Sequence, residues 1–410
     1  MTNSGKPALG VGMIGYAFMG RAHSQAWRNA RSYFDVPAIP RLAAVAGRNE
    51  AAAQDTADRF GWESVETDWR RLLERDDIDI IDICTPGDTH AEIAVAALEA
   101  GKHVLCEKPL ANSVDEAERM VRTAEAAAGR GVRSMVGFTY RRVPAISYAR
   151  RLVEEGLLGR IVHVRGAYLQ DWLVDPESPL TWRLQKERAG SGALGDVGAH
   201  IIDLAQFVTG EQLTGVSALT ETFVRERPVS DPSQIGTSGI SGTSGANGAA
   251  TVGQVTVDDA AVLVSRMSGG ALATFEATRF ATGRKNAIRL EINGSSGSLA
   301  FDFEDMNVLH VHDATADARD AGFTRVLVTE ATHPYVAGWW PPGHVLGYEH
   351  AFTHQAVDFL TAVAEGTDPR PSFSDGFQVQ RILSAVEASA EREGSWTPID
   401  GARVPSPTLS

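Results

Sequence analysis

The feature that most constrains this chain is a short apolar run that ends in a glycine turn and opens into a helix. Residues 9–14 read Leu-Gly-Val-Gly-Met-Ile, and Gly15-Tyr16-Ala17-Phe18-Met19-Gly20 leads into a helical stretch over 20–31. A strand, turn and helix in this order leave the first helical N–H groups without intrahelical partners. They also put the positive end of the helix dipole at the turn, and both suit a pyrophosphate. An earlier window, Gly10-Val11-Gly12-Met13-Ile14-Gly15, matches the G-x-G-x-x-G letters, but Ser-Gly-Lys-Pro-Ala-Leu ahead of it is a poor strand. The second window has the right flanks and is the expected dinucleotide turn, with Gly15, Ala17, Phe18, Met19 and Gly20 against the cofactor. Ala17 takes the middle glycine's place, so the backbone should approach the phosphates slightly less closely.

The alternation then repeats. Runs at 41–47, 78–84, 103–106 and 132–138 read as strands, and 50–60, 88–100 and 113–128 as helices. Strands alternating with helices predict βαβ units and a doubly wound parallel sheet, assigned to a dinucleotide-binding Rossmann domain over 1–138. Beyond it the runs 161–170, 213–224, 255–267, 271–279, 287–293, 298–303 and 307–312 read as strands. Turn signals such as Ser268-Gly269-Gly270 separate several of them. Strands that follow one another without helices predict a large, mainly antiparallel open sheet with helices on one face. The α/β domain 139–410 is therefore expected to follow, with helices at 349–365 and 375–392. Residues 228–254, rich in Ser, Gly and Thr, read as a flexible surface excursion between two strands.

The formal charge of -14 argues against a phosphate-tracking nucleic-acid binder. No apolar run reaches the roughly 18–20 residues of a membrane span, and the first residues lack the charged and apolar regions of a signal peptide. Cys84 and Cys106 both lie in apolar runs. They read as small buried hydrophobes of a reducing compartment, the cytoplasm by default, and neither as a disulfide nor as a metal site.

The acid that usually holds the adenosine ribose should end the second strand, where this chain has Gly47-Arg48-Asn49, displaced by the insertion 31–40. A missing carboxylate beside Arg48 favours NADP slightly over NAD, the alternative being that Arg48 only stacks on adenine or is solvated.

Ligands bind at the carboxyl ends of parallel strands. Two segments qualify: Thr85-Pro86, followed by His90, and Glu107-Lys108-Pro109. An ammonium at Lys108 can polarise a carbonyl or steady an alkoxide; the plain alternative is a surface lysine before a proline. Further on, Ala189–Gly195 is rich in glycine and stops at a helix bearing Asp196, His200 and Asp203. Asp196 and His200 stand i, i+4 and should share a face, where the carboxylate can orient an acid–base imidazole. Asp203 extends the face and raises a metal reading, but no further converging ligand can be named, so no metal is assigned. Tyr140, Arg141, Arg142, Gln170, Asp171, Trp172, Trp182 and Arg183 supply the flat apolar faces and hydrogen-bonding groups that a sugar needs. Any one of these tryptophans could equally be core.

The turn Gly15-x-Ala17-x-x-Gly20, Glu107-Lys108-Pro109 and Asp196-x-x-x-His200 together resemble the Gfo/Idh/MocA oxidoreductases over nearly the whole chain. The resemblance implies a Rossmann domain followed by an α/β domain with a large open sheet, often used to form homodimers or homotetramers. It implies Lys108, Asp196 and His200 as the catalytic set, with Tyr140, Gln170, Trp172, Trp182 and Arg183 about a cyclic substrate. The implied reaction is hydride transfer between NAD(P) and a secondary alcohol of an anhydrosugar, pyranoside or inositol. Two rivals stay open: a redox-silent nucleotide sensor or scaffold, and an enzyme that oxidises transiently to cleave or epimerise a glycoside.

Overall fold

In a computed structural model of the chain the described residues are 5–229, 242–243, 251–317, 319 and 321–401. The chain divides into two compact units, Met1–Val143 with Glu330–Gln378, and Pro144–Thr329 with Val379–Ser410.

The first unit holds six parallel strands: β1 (Ala8–Ile14), β2 (Ile39–Ala46), β3 (Val65–Glu66), β4 (Ile80–Ile83), β5 (His103–Cys106) and β6 (Ser134–Val136). Their order is β3-β2-β1-β4-β5-β6. The chain winds outward from β1 to one edge, then returns beside β1 and winds to the other. The strand order therefore reverses between β1 and β4, which opens a crevice at their carboxyl ends. All four residues of β4 are buried, as expected of a strand covered on both faces. The helices are α1 (Phe18–Tyr33), α2 (Glu50–Phe60), α3 (Arg70–Leu73), α4 (His90–Glu99) and α5 (Val114–Ala128). Asn49 caps α2 by accepting from Ala52 N–H, and Ser113 caps α5 by accepting from Glu116 N–H.

Residues 330–378, which the sequence pattern groups with the second domain, pack with the first. Their long helix sends Phe352, Ala356, Phe359 and Leu360 into the same apolar core as Trp27, Ala30 and Met13. His354 of that helix is fully buried; burial pushes its ring down to about 3, so it stays neutral. One ring nitrogen accepts from the Trp339 indole at 2.7 Å, and the other donates to the Arg142 carbonyl.

The second unit begins with α6 (Pro144–Glu154) and β7 (Ile161–Leu169) and continues through α7 (Lys186–Ala189) and α8 (Ala199–Thr209). Strands β8 (Leu213–Glu221), β9 (Glu226–Pro228), β10 (Gly242–Thr243), β11 (Val252–Gln254), β12 (Ala260–Met267) and β13 (Leu272–Thr278) follow. Then come β14 (Ala287–Gly294), β15 (Gly297–Asp302), β16 (Val308–Asp313), β17 (Thr324–Leu327) and, after α9 (Tyr348–Glu365) and α10 (Phe373–Ala390), β18 (Thr397–Pro398). Nine of these strands form one sheet in the order β17-β16-β15-β14-β7-β13-β12-β8-β18. Only the β7–β13 pair is parallel, so the sheet is mixed and mostly antiparallel. Helix α8 lies on its centre and α6 on β15 and β16.

The alternation is clean on β12, where Ala261, Leu263, Ser265 and Met267 are buried while Val262 and Val264 are exposed. The predicted strand 255–267 starts only at 260. The buried Asp259 interrupts it by accepting from Phe223 N–H and Val224 N–H. In the Gly/Ser-rich stretch 228–254, β11 pairs with β9 and β10; residues 230–241 and 244–250 lie outside the described residues, and with them the flexible excursion. Among the described residues no helix is long and apolar enough to cross a membrane.

Candidate active site

In the first unit, β1 ends at Ile14 and Gly15 turns the chain with φ +102°, a conformation that side chains other than hydrogen rarely adopt. A Cβ at Gly15 would lie 2.8 Å from the Cys84 carbonyl, and one at Gly20 only 2.2 Å from the Gly15 carbonyl. The helix behind the turn has no side-chain cap at Ala17 and no acid in its first turn, so its positive end is kept for an anion. Gly10 of the earlier window serves packing within β1, where a Cβ would strike the Asp77 carbonyl at 1.9 Å. The residues present therefore fit a dinucleotide. The ring of Phe18 is exposed and stacks on Tyr348 at 6.1 Å, while Met19 leans on the core.

At the place of the missing ribose acid the chain is crowded. The Tyr16 ring lies against Gly47, and a Cβ there would sit 2.0 Å from it. Arg48 is exposed, and Asn49 is committed to capping α2. Thr85 lies two residues beyond the end of β4, and its hydroxyl accepts from Thr89. Pro86 opens the short turn Gly87–Thr89. His90 is buried, with its ring nitrogens 2.9 Å from the carbonyl oxygens of Thr85 and Pro109. It braces the two strand-end segments against each other.

Glu107 anchors the Lys108 turn. Its side chain is buried and accepts from Lys108 N–H at 3.2 Å. Its other oxygen lies 3.0 Å from Nε2 of His23, whose Nδ1 lies 2.9 Å from Asp82. Trp27 donates to Asp82 as well, at 2.7 Å. A neutral imidazole has one N–H, so facing an ionised carboxylate from both nitrogens asks for the imidazolium. Burial works against that charge, but the field of Asp82 and hydrogen bonds with Asp82 and Cys84 outweigh it, holding His23 well above the usual histidine range.

His23, Asp82 and Cys84 are also spaced as metal ligands would be. Burial, then Asp82, pushes the thiol up to about 12, so it is protonated and a poor ligand. Tyr140 is buried beside the Tyr348 ring. Arg141 and Arg142 are buried too, and their guanidinium groups pair with Asp375 and Asp358. These two arginines serve the fold of the first unit.

In the second unit the glycine-rich loop has a definite job. The Asp258 carboxylate accepts from Gly192 N–H at 2.7 Å and Leu194 N–H at 2.8 Å. A Cβ at Gly192 would be 1.8 Å from the Asp258 carbonyl. Burial raises the Asp258 carboxyl, the two N–H groups opposing it. The loop runs into a π-helical turn, Leu194–Gly198, and α8 begins at Ala199. Asp196 thus sits in a widened turn and His200 in regular helix, so the expected i, i+4 face bends at their junction; such π-turns recur at functional sites. His200 is buried with the Tyr168 ring 5.9 Å away, and Asp203 is buried further along.

After β7, the Gln170 side chain donates to Asn286 at 2.7 Å and accepts from the Trp172 indole N–H at 3.0 Å. The indole is thereby fixed while remaining 42% exposed, which a core tryptophan would not be. Asp171 is held by Lys285, and Arg183 lies over the Trp182 ring at 4.5 Å. Three residues escaped the sequence reading. His23 and Asp82 carry no motif, and Arg279 at the end of β13 is indistinguishable from a surface arginine. A histidine or arginine inside an apolar stretch is the only signal, and it is weak.

Residues 9–138 match the family described as "Oxidoreductase family, NAD-binding Rossmann fold", and residues 146–300 the "GFO/IDH/MocA C-terminal domain". Levoglucosan dehydrogenase of Pseudarthrobacter phenanthrenivorans is 44% identical over 395 residues, 95% of this chain and 98% of that one. Inositol 2-dehydrogenase of Rhizobium meliloti is 26% identical over 93% of this chain and 97% of its own. Among solved structures, an oxidoreductase domain protein from Kribbella flavida is 62% identical, with TM-score 0.90 and coverage of 96% and 99%. A levoglucosan dehydrogenase in complex with NADH and levoglucosan is 42% identical, with TM-score 0.88 and coverage of 96% and 100%. With both halves of the pattern matched and relatives aligned almost end to end, the chain belongs to the Gfo/Idh/MocA family of oxidoreductases.

Proposed function

We propose that this chain is a nicotinamide-dependent dehydrogenase that oxidises a ring CH–OH of a cyclic sugar, with a 1,6-anhydrosugar as the first substrate to test. The observation that carries the sugar class is Trp172, an exposed indole pinned by Gln170. A flat apolar face held in one rotamer suits the C–H face of a pyranose and costs little ordering on binding. The full-length similarity to levoglucosan dehydrogenase supports the same class.

Bound in the Gly15–Gly20 turn, the nicotinamide dinucleotide supplies the hydride acceptor. The roles of this chain's residues follow from their chemistry. His200 takes the hydroxyl proton, Asp196 stabilises the resulting imidazolium, and the Lys108 ammonium steadies the oxygen as its charge grows. The relatives crystallised with NADH support NAD(H) as the cofactor; the leaning towards NADP drawn from Arg48 has no such support. Tyr140, Gln170, Trp182 and Arg183 complete the proposed sugar contacts. Buried free thiols fit the cytoplasm, where we place the protein.

The face of the nine-stranded sheet that bears Val262 and Val264, both exposed, is the surface through which we expect a homodimer or homotetramer. The test of function is a panel of anhydrosugars, pyranoses, inositols and linear polyols with NAD+ and NADP+, followed by cofactor absorbance. An anhydrosugar with NAD+ should be fastest, and Lys108→Met and His200→Ala should lose turnover while still binding NADH. A linear polyol as best substrate, or sugar turnover with no change in cofactor absorbance, would overturn the reading.

A further inference from the structure

The side chain that stands out in the second unit is Arg279. It is 0% exposed, yet among its donors only Nη2 makes a hydrogen bond, to the Asp258 carbonyl at 3.0 Å. Nε and Nη1 have no hydrogen-bond partner. Nη1 lies 3.7 Å from Oδ2 of Asp196, an ion pair just beyond hydrogen-bond length. The guanidinium carbon lies 5.6 Å from the centre of the Trp172 ring. The glycine-rich loop is shaped around it, since a Cβ at Gly192 would come within 2.9 Å of Nη2. A second fully buried arginine, Arg227, stands close enough that the charge of Arg279 disfavours its own, after burial. Arg227 is tied down by the carbonyls of Leu173, Asp175 and Ser178 in the loop after Trp172.

Burying a cation costs several kcal/mol after relaxation, and an apolar group of the same volume would serve packing as well or better. A purely structural arginine spends its terminal donors on carbonyls, as Arg227 does with both Nη1 and Nη2, although its Nε too has no hydrogen-bond partner. Arg279 instead keeps its charge against one carboxylate and one indole, the two groups to which the proposed function gives chemical work.

We infer that Arg279 is a positioning residue of the sugar site, holding the Asp196 carboxylate and the Trp172 indole in register with each other. The inference rests on the proposed roles of Asp196 and Trp172. The cation acts on Asp196 by favouring its ionised form, which keeps it able to stabilise a protonated His200 rather than taking the proton itself. It acts on Trp172 as a cation beside a π face, limiting the tilt of the sugar platform. The neighbouring carboxylates are engaged elsewhere. Asp258 turns its carboxylate to the Gly192 and Leu194 N–H groups, and Asp259 turns one oxygen to Phe223 and Val224 N–H. On β7 Tyr168 donates to Asn286, and His200 follows on Asp196's own helix.

The experiment compares Arg279→Met, Arg279→Lys and Asp196→Asn in the full-length enzyme, with pH profiles of kcat/KM and NADH binding followed by fluorescence. Arg279→Met should raise the acid limb of the profile by about one pH unit or more, the size of a carboxylate's response to a neighbouring arginine. It should raise the sugar KM several-fold and leave NADH affinity unchanged. Arg279→Lys keeps the charge but not the planar fork, so the acid limb should stay while KM still rises. An Arg279→Met enzyme with the wild-type acid limb and KM would reduce Arg279 to core filling and overturn the inference. If the methionine variant fails to fold, a lysine variant identical to wild type in KM overturns it as well. Full activity in Asp196→Asn would sink the proposed function itself, whereas an inactive Asp196→Asn beside a normal Arg279→Met sinks only the inference.

Discussion

Replacing His23 with glutamine should destabilise the first unit by about 3–5 kcal/mol, the usual cost of removing one partner from a buried ionic cluster. The structure supplies the reasons for that size. His23 makes close contacts with two buried carboxylates, at 2.9 Å to Asp82 and 3.0 Å to Glu107, and hydrogen bonds to charged groups contribute roughly 1.5–3 kcal/mol each. Glutamine can donate to one of them and leaves the other without a cation. For a body of this size the loss corresponds to a fall in Tm of about 6–20 °C, at roughly 2–4 °C per kcal/mol.

The pH dependence is the sharper test. The folded pKa of His23 lies well above 6.5, so protonation stabilises the fold fully below the unfolded value and progressively less as pH rises towards the folded one. Thermal or urea melts of both proteins between pH 6 and 9 should show a gap that is widest at pH 6. It should narrow by up to about 1.4 kcal/mol per pH unit. A gap that stays constant across that range would mean that His23 is neutral and that the imidazolium argument is wrong.

Gly15→Ala should weaken NADH binding at least tenfold: a side chain at φ +102° costs about 1–2 kcal/mol and meets the Cys84 carbonyl at 2.8 Å. Fluorescence titration checks this, and an unchanged Kd would remove the turn from the cofactor site. Arg48→Ala should raise the KM for NADP more than that for NAD, because only NADP presents a ribose 2′-phosphate to the guanidinium; equal effects would leave Arg48 on adenine alone. Trp172→Ala should raise KM for anhydrosugars more than for linear polyols in steady-state assays, and equal changes would return Trp172 to the core.

The parallel half of the fold was legible because buried parallel strands are written as uninterrupted apolar runs such as Ile80–Ile83, with helices between them at regular spacing. The strands of the large sheet were legible from alternation, as in β12. What was not legible depends on contacts remote in sequence. Nothing in residues 349–365 says that their apolar side chains belong with Trp27 and Met13, so the pattern grouped them with their sequence neighbours. The π-turn at Leu194–Gly198 cannot be seen in a pattern of small residues, and it bends the expected Asp196–His200 face. Gly47 looked like a missing acid; only the Tyr16 ring against it shows that a side chain there would have to displace that ring. Arg141 and Arg142 looked like sugar ligands because burial and salt-bridge partners are invisible in one dimension.

The return of residues 330–378 to the first unit has a consequence for how the protein is made. On the ribosome the dinucleotide-binding unit cannot complete its core when residue 143 emerges, because Phe352, Phe359 and Leu360 have yet to be synthesised. At about 5–20 residues per second the nascent strands and α1 wait on the order of ten seconds or longer, with the apolar surface around Trp27 uncovered. A fragment cut at 143 is therefore an incomplete domain that should aggregate. A permuted gene that joins 330–378 directly to 1–143 would bring all the side chains of that core into one continuous stretch.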